Sequence, residues 1–178
     1  MPLSIALLHH PVLNRIGEEI TSTVDHFDVM DGSRLTRTYG VQRFYVVNHV
    51  PAQQALVERL IRHGTAGDGR EARGEFAHTL WAPDLASVVA DETRVLGRRP
   101  TVIATTAGQS PDAVGFATLR GRLIGGEPML VLFGKAWGLS TNALASADVR
   151  LAPIDGGTGF NHLSVRSAMA IIVDRLLG

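Results

Sequence analysis

Residues 129–178 read MLVLFGKAWGLSTNALASADVRLAPIDGGTGFNHLSVRSAMAIIVDRLLG, and the fold is decided in this stretch. The pattern predicts a buried strand at 129–133, a glycine-bearing turn at 134–138, a short helix, a second strand at 149–152, a glycine-rich loop and a closing helix. Glycines often mark ordinary turns, but they also allow the backbone to approach a ligand closely. Because ligands of α/β proteins bind at the carboxyl ends of strands, this stretch predicts a binding site.

The rest of the chain continues the alternation of strands and helices. Residues 101–106, TVIATT, are β-branched and typical of a central strand. Regular alternation predicts an α/β protein with a parallel sheet of about six strands and helices on both faces. The glycine-rich, charged stretch 64–74 predicts an exposed loop. Further strands are predicted at 4–8, 44–47 and 76–81, and helices at 23–39, 51–64 and 83–96, with one more helix ending at 125–126.

Length and composition narrow the class of protein. A chain of 178 residues is long enough for one domain, which we place at 1–178. Its 17 Lys and Arg balance 17 Asp and Glu, which argues only against a chain that is basic throughout. The absence of cysteine excludes disulfides, thiolate nucleophiles and Cys-based zinc sites.

The N-terminal segment, MPLSIALLHHPVL, predicts a first strand. It has no basic region before its apolar run, so it does not resemble a signal peptide. No apolar run approaches the ~20 residues of a membrane span, and a cytoplasmic protein is expected. The His9–His10 pair has no acidic partner at ligand spacing, so no metal site is expected.

Three separated patterns occur in a fixed order along the chain. Asp28 and Arg34 stand six residues apart, and Gly40-Val41 follows six residues later. VLFGKAWGL at 131–139 places Phe-Gly before Gly-Leu, and APIDGG is followed by NHLSVRSAMAII. These patterns resemble the three motifs of the SPOUT superfamily, the knotted S-adenosylmethionine-dependent RNA methyltransferases. The resemblance is to the SpoU-like branch, and most closely to a small bacterial group of predicted knot RNA methyltransferases.

The resemblance implies an architecture beyond what periodicity predicts. The last helix would thread through a preceding loop and form a C-terminal trefoil knot within about residues 101–178. The protein would act as a homodimer through this helix. This helix has more apolar residues than one face packed against the core of a monomer would need, which is consistent with a dimer. These residues are Ala168, Ile171, Ile172, Leu176 and Leu177.

The resemblance also implies a site for S-adenosylmethionine in the loops after three strands. Glycine at 134 and 138 suits such a site because no β-carbon would stand between backbone and ligand. Ordinary core packing is the alternative for the apolar members. The implied cofactor-binding residues are Thr105, Thr106, Leu132, Phe133, Gly134, Gly138, Ile154 and Leu163.

Candidate catalytic and RNA-binding residues follow from the chemistry of methyl transfer. Arg34 is the first candidate, because a guanidinium would steer a phosphate or stabilise developing negative charge. His162 could act as a base near neutral pH. Asn161 and Ser164 could orient the acceptor or cap the closing helix. The remaining two candidates, for RNA contacts, are Arg37 and Arg166.

Two departures from the SpoU-like motifs affect the predicted acceptor. Asp28 and Ser164 stand where asparagine is usual. The ribose 2′-hydroxyl of an RNA, either tRNA or rRNA, is therefore only the favoured methyl acceptor, and a base nitrogen is the alternative.

Two other classes of protein compete with an RNA methyltransferase. A knot-fold module would bind S-adenosylmethionine or RNA without turnover. An unrelated doubly wound nucleotide-binding enzyme is disfavoured, because the chain has neither Gly-x-Gly-x-x-Gly after its first strand nor a Walker lysine loop.

Overall fold

A computed structural model describes residues 1–65 and 74–178 of the chain. Strands and helices alternate through most of its length, as the sequence predicts. In the described residues the strands are β1 Leu3–Leu8, β2 Val12–Leu13, β3 Glu19–Ile20, β4 Phe44–Val47, β5 Thr79–Ala82, β6 Thr101–Ala104, β7 Met129–Gly134 and β8 Val149–Arg150. The helices are α1 His26–Tyr39, α2 Pro51–Thr65, α3 Leu85–Leu96, α4 Phe116–Ile124, α5 Thr141–Ala145 and α6 Val165–Leu177.

Six of these strands form one parallel sheet in the order β5-β4-β1-β7-β6-β8. The long central pair, β1 and β7, runs in register from Leu3 opposite Met129 to Leu8 opposite Gly134. Both strands are buried almost throughout, which explains their continuous apolar sequences. The prediction of an α/β protein with a six-stranded parallel sheet is confirmed.

Helices cover both faces of the sheet. On one face Ile5 and Val131 pack in a core with residues of α1, α2, α4 and α6. On the other face Ala6 and Leu132 pack with residues of α3 and α5. Successive side chains of a strand point to opposite faces, so each central strand contributes to both cores.

The strands predicted at 101–106 and 149–152 each end two residues early, at Ala104 and Arg150, and the helix predicted at 83–96 begins at Leu85. Three other differences are larger or concern an element that was not predicted. The strand predicted at 76–81 begins only at Thr79, because residues 75–78 form a turn closed by the Thr79 N–H and the Phe76 carbonyl at 3.0 Å. The helix predicted at 23–39 begins at His26, after the N-cap Asp25. The short antiparallel hairpin β2–β3 was not predicted, because strands of two residues carry no periodicity. Most of the predicted loop at 64–74 lies outside the described residues.

The closing helix α6 packs against α1 and α4 of its own chain. Met169, Ile172, Val173 and Leu176 are buried there. The expectation that Ile172 and Leu176 form surplus apolar surface is therefore wrong, because these side chains are already covered. The threading of α6 through a preceding loop and the domain limits stay predictions. No helix in the described part of the chain is both long and apolar enough to cross a membrane.

Candidate active site

A cavity of about 710 Å³ lies at the carboxyl ends of β6, β7 and β8. Its volume is in the range of small-molecule binding sites. Its walls are the loop after β6, the turn after β7, and the chain from the end of β8 into α6. The sequence predicted a site at these strand ends, and the structure brings the ends together around one space.

Most of the residues predicted to bind the cofactor line this cavity. Leu132 does not, because its side chain is buried on the sheet face covered by α3 and α5. Its carbonyl instead accepts a hydrogen bond of 2.8 Å from the Thr105 hydroxyl, which joins β7 to the loop after β6. The residues that do line the cavity are Thr105, Thr106, Phe133, Gly134, Gly138, Ile154 and Leu163.

Glycine is required in the turn after β7. A β-carbon at Gly134 would lie 2.3 Å from the Leu139 nitrogen and 2.5 Å from the Gly138 carbonyl carbon. Both are backbone atoms, so the turn would have to shift. Gly138 has φ 102°, a conformation that side chains strongly disfavour. The hairpin β2–β3 supports the turn, since Leu13 exchanges backbone hydrogen bonds with Trp137 and Gly138.

Apolar side chains are left open along the cavity wall. Trp137 is 60% exposed and Leu163 is 46% exposed, and Ile154 is half-buried. Such surfaces favour the flat, apolar face of a purine, while backbone groups of the three loops can meet its polar edge. The residues present therefore fit a nucleoside cofactor such as S-adenosylmethionine.

A second space, a cleft of about 540 Å³ between α1 and α6, adjoins the cavity. Ser164 and Arg166 line both spaces, and Arg34 lines the cleft. The Arg34 side chain is half-exposed, and its Nε donates to Glu75 at 3.2 Å. Three residues predicted to bind or act on the acceptor thus lie around one opening beside the cavity.

The other predicted residues have different surroundings. Arg37 lines neither space; its guanidinium lies 3.1 Å from His78 Nε2. Asn161 lines the cavity and donates to the Ala107 carbonyl at 3.0 Å, which ties two of the loops together. His162 also lines the cavity, with its ring against Phe160.

Ser164 caps the closing helix. Its hydroxyl accepts a hydrogen bond of 3.2 Å from the Ser167 N–H. This hydrogen bond supports the interpretation of Ser164 as the N-cap of the helix.

A buried charge network lies beside the cavity. Asp28, in the first turn of α1, is fully buried, and its Oδ2 is 2.5 Å from Lys135 Nζ and 3.4 Å from His9 Nε2. Its Oδ1 is 3.8 Å from Arg166 Nε. Burial by itself raises the pKa of Asp28, but the contacts with His9 and Lys135 outweigh it and hold the pKa below its usual value. The carboxylate is therefore charged at neutral pH.

Sequence reasoning missed Lys135 and His9 as members of the site. One signal pointed to Lys135: it is the only lysine in the chain, and it stands inside the second motif. His9 gave no such signal, because its partner Asp28 is 19 residues away.

The fold and the cavity define a class of protein. This is an α/β protein with a cavity at the carboxyl ends of three parallel strands whose lining fits a nucleoside cofactor. The chain belongs to the SAM-dependent RNA methyltransferase family, SAM being S-adenosylmethionine, whose model matches residues 2–178. The resemblance to the SPOUT superfamily is thereby confirmed.

Two relatives match nearly the whole of this chain. A tRNA (guanine-N(1)-)-methyltransferase of Oleidesulfovibrio alaskensis is 37% identical over 180 residues, which is 99% of this chain and 42% of the relative. An uncharacterised protein of Aquifex aeolicus is 34% identical over 177 residues, 97% of this chain and 86% of that protein. The chain thus spans less than half the length of the first relative.

A solved structure has the same fold. It is the SpoU methyltransferase AviRb of Streptomyces viridochromogenes in complex with AdoMet, which is S-adenosylmethionine. The TM-score is 0.59 at 12% identity, covering 98% of this chain and 56% of that one.

Proposed function

We propose that this chain transfers a methyl group from S-adenosylmethionine to a nucleotide of RNA. The observation that carries the proposal is the convergence of the loops after β6, β7 and β8 on one cavity. Family membership supports the donor. The adjoining cleft supports an RNA acceptor, because the guanidinium groups of Arg34 and Arg166 lie beside the cavity. Each is paired with a carboxylate, Glu75 or Asp31, in whose place a phosphate would bind.

Different residues of the chain would bind the cofactor and the acceptor in this reaction. S-adenosylmethionine supplies, when bound, a methyl group that is activated by its attachment to a sulfonium. Gly134 and Gly138 let backbone approach the cofactor, and Ile154 and Leu163 exclude water from its apolar part. Arg34 would hold the acceptor from the cleft and stabilise the negative charge that appears as it loses a proton.

Guanine N1 of a tRNA is the first acceptor to test. The O. alaskensis relative carries that activity in its name. Because this chain spans only 42% of that relative, methylation of guanine N1 is a proposal for this chain. The ribose 2′-hydroxyl is the second candidate, supported by the motif-like spacing of Asp28, Arg34 and Gly40.

Nucleoside mass spectrometry separates the two acceptors. The protein is incubated with S-adenosylmethionine bearing a deuterated methyl group and with tRNA or rRNA from cells that lack the protein. Labelled 1-methylguanosine would support the first candidate and a labelled 2′-O-methylnucleoside the second. A knot-fold module without turnover would bind S-adenosylhomocysteine in calorimetry and label no RNA, which would contradict the proposal.

Arg34→Ala tests the role of the cleft. We expect the rate of transfer to fall about 100-fold, as for loss of a group that stabilises developing negative charge. Arg59→Ala is the control, because it removes an exposed positive charge from α2, outside both spaces; we expect less than a threefold change. Equal transfer by Arg34→Ala and wild type would remove Arg34 from the catalytic residues.

A further inference from the structure

Lys135 is unusual in this chain. Of the 17 lysines and arginines it is the only lysine, so 16 positive side chains are arginine. It lies in the turn after β7 and lines the cofactor cavity. Its side chain is 26% exposed, so it is partly shielded from solvent but not buried.

The buried carboxylate of Asp28 fixes the position of this lysine. Their atoms Nζ and Oδ2 are 2.5 Å apart, although the residues are separated by 107 positions in sequence. An ammonium has three donors, and this contact uses one. The others remain for a group that enters the cavity.

The surroundings of Asp28 keep the site nearly balanced in charge. His9 approaches the carboxylate from the end of β1, and Arg166 approaches from α6. Arg166 is also bound to the more exposed Asp31 at 2.9 Å. Lys135 and Asp28 carry opposite charges, so the pair has no net charge. The lysine would therefore not repel a sulfonium cofactor as an isolated ammonium would.

We propose that Lys135 is a catalytic residue of the methyl transfer and that Asp28 is the positioning residue that holds it. This proposal rests on the function proposed above. The Lys135 ammonium donates to the acceptor oxygen that becomes negative when the acceptor loses its proton to water. For guanine N1 that oxygen is the adjoining carbonyl, and for ribose it is the hydroxyl itself.

The step balances with these participants alone. The proton of the acceptor passes to water, and the lone pair that it leaves on the acceptor forms the new bond to the methyl carbon. The bond between that carbon and sulfur breaks, and its electrons remain on sulfur, which leaves a neutral thioether. Lys135 neither gains nor loses a proton overall, so its contribution is electrostatic.

Single-turnover transfer with saturating S-adenosylmethionine and tRNA tests the proposal. Lys135→Met is expected to slow transfer about 100-fold, because the negative acceptor oxygen loses the Lys135 ammonium that stabilises it. For the same reason, the increase of the transfer rate with pH should occur at higher pH than in wild type. Lys135→Arg keeps the charge and is expected to be at least tenfold faster than Lys135→Met. Arg59→Met, which removes an exposed positive charge from α2, is the matched control and should match wild type.

Two further measurements separate this role from others. Calorimetry with S-adenosylhomocysteine should give a Kd for Lys135→Met within about threefold of wild type, and thermal melts should show that the variant is folded. A large loss of affinity for S-adenosylhomocysteine with unchanged single-turnover transfer would place Lys135 on the cofactor and overturn the proposal. An unchanged rate and pH profile in Lys135→Met would overturn it too.

The outcome for wild type distinguishes the two proposals. If wild type methylates RNA and Lys135→Met does so equally well, only the role of Lys135 fails. If wild type methylates no RNA, the proposed function fails, and the role of Lys135 fails with it. Asp28→Asn adds the positioning test: it should slow transfer and shift the pH profile in the same direction as Lys135→Met.

Discussion

At the scale of single residues, Asp28 connects the parts of the site. Its buried carboxylate contacts His9 after β1, Lys135 after β7 and Arg166 at the start of α6. It also accepts from the Asp25 N–H at 3.4 Å and so completes the capping box of α1. One side chain therefore fixes the relation between segments that are distant in sequence.

Asp28→Asn should destabilise the protein in a pH-dependent way. Because the pKa of Asp28 in the folded protein lies below its unfolded value of about 3.9, its contribution is complete above that pH and is lost as the pH falls through the folded value. We expect a loss of about 3 kcal/mol in the free energy of unfolding at pH 7. Urea unfolding of both proteins should show the difference shrinking below about pH 4.

Asp31→Asn is the matched control for this measurement. Asp31 contacts the same Arg166 but is 44% exposed rather than buried, so its loss should cost less than about 1 kcal/mol. A constant difference between Asp28→Asn and wild type from pH 7 to pH 3 would contradict the electrostatic role of Asp28.

At the scale of elements, the start of α6 combines a structural and a proposed functional role. Ser164 caps the helix, and it also lines both the cavity and the cleft. The position of α6 depends on contacts with α1, including the Tyr39 hydroxyl, which donates to Asp174 at 2.8 Å. The cap and the packing together place the loop 161–164 against the cavity.

Substitutions of Ser164 separate capping from catalysis. Ser164→Ala should lower the free energy of unfolding by about 1 kcal/mol, because the Ser167 N–H loses its acceptor. Ser164→Asn should restore stability, since asparagine is an equally good N-cap. We expect Ser164→Asn to retain methyl transfer; a stable Ser164→Asn that transfers at least tenfold more slowly would show that the hydroxyl contacts the acceptor.

At the scale of the whole molecule, the question is whether two copies associate. The buried residues of α6 pack within their own chain, so a homodimer interface on α6 must use another part of that helix. Ala170 is exposed on α6 and lines the cleft against α1. We propose that the homodimer forms over the Ala170 end of the cleft, one helical turn beyond Arg166, so that the end beside the cavity stays open to the acceptor.

Ala170→Arg should convert a dimer into a monomer if α6 forms the interface, because a long charged side chain would prevent close packing. Light scattering coupled to size-exclusion chromatography measures the mass directly. Ala90→Arg, at an exposed position of α3 on the opposite face of the sheet, is the matched control and should leave the mass unchanged. A wild-type protein that is monomeric throughout, or an Ala170→Arg variant that remains a dimer, would contradict this interface.

Sequence by itself determined the layers of the fold and the ends of the strands that carry the site. These features are encoded locally: apolar runs mark buried strands, and Gly40 stops α1 because it adopts φ 68°. The same local patterns placed Gly134, Ile154 and Leu163 in separate loops, and the motif resemblance predicted their convergence.

Only the tertiary structure decided which side chains share the cavity. Leu132 was assigned to the cofactor site from its position in a motif, but strand alternation turns its side chain into the opposite core. The contact of Lys135 with Asp28 spans 107 residues, and no local pattern encodes it. Such contacts depend on how the strands order themselves in the sheet, and that order is set by packing of the whole chain.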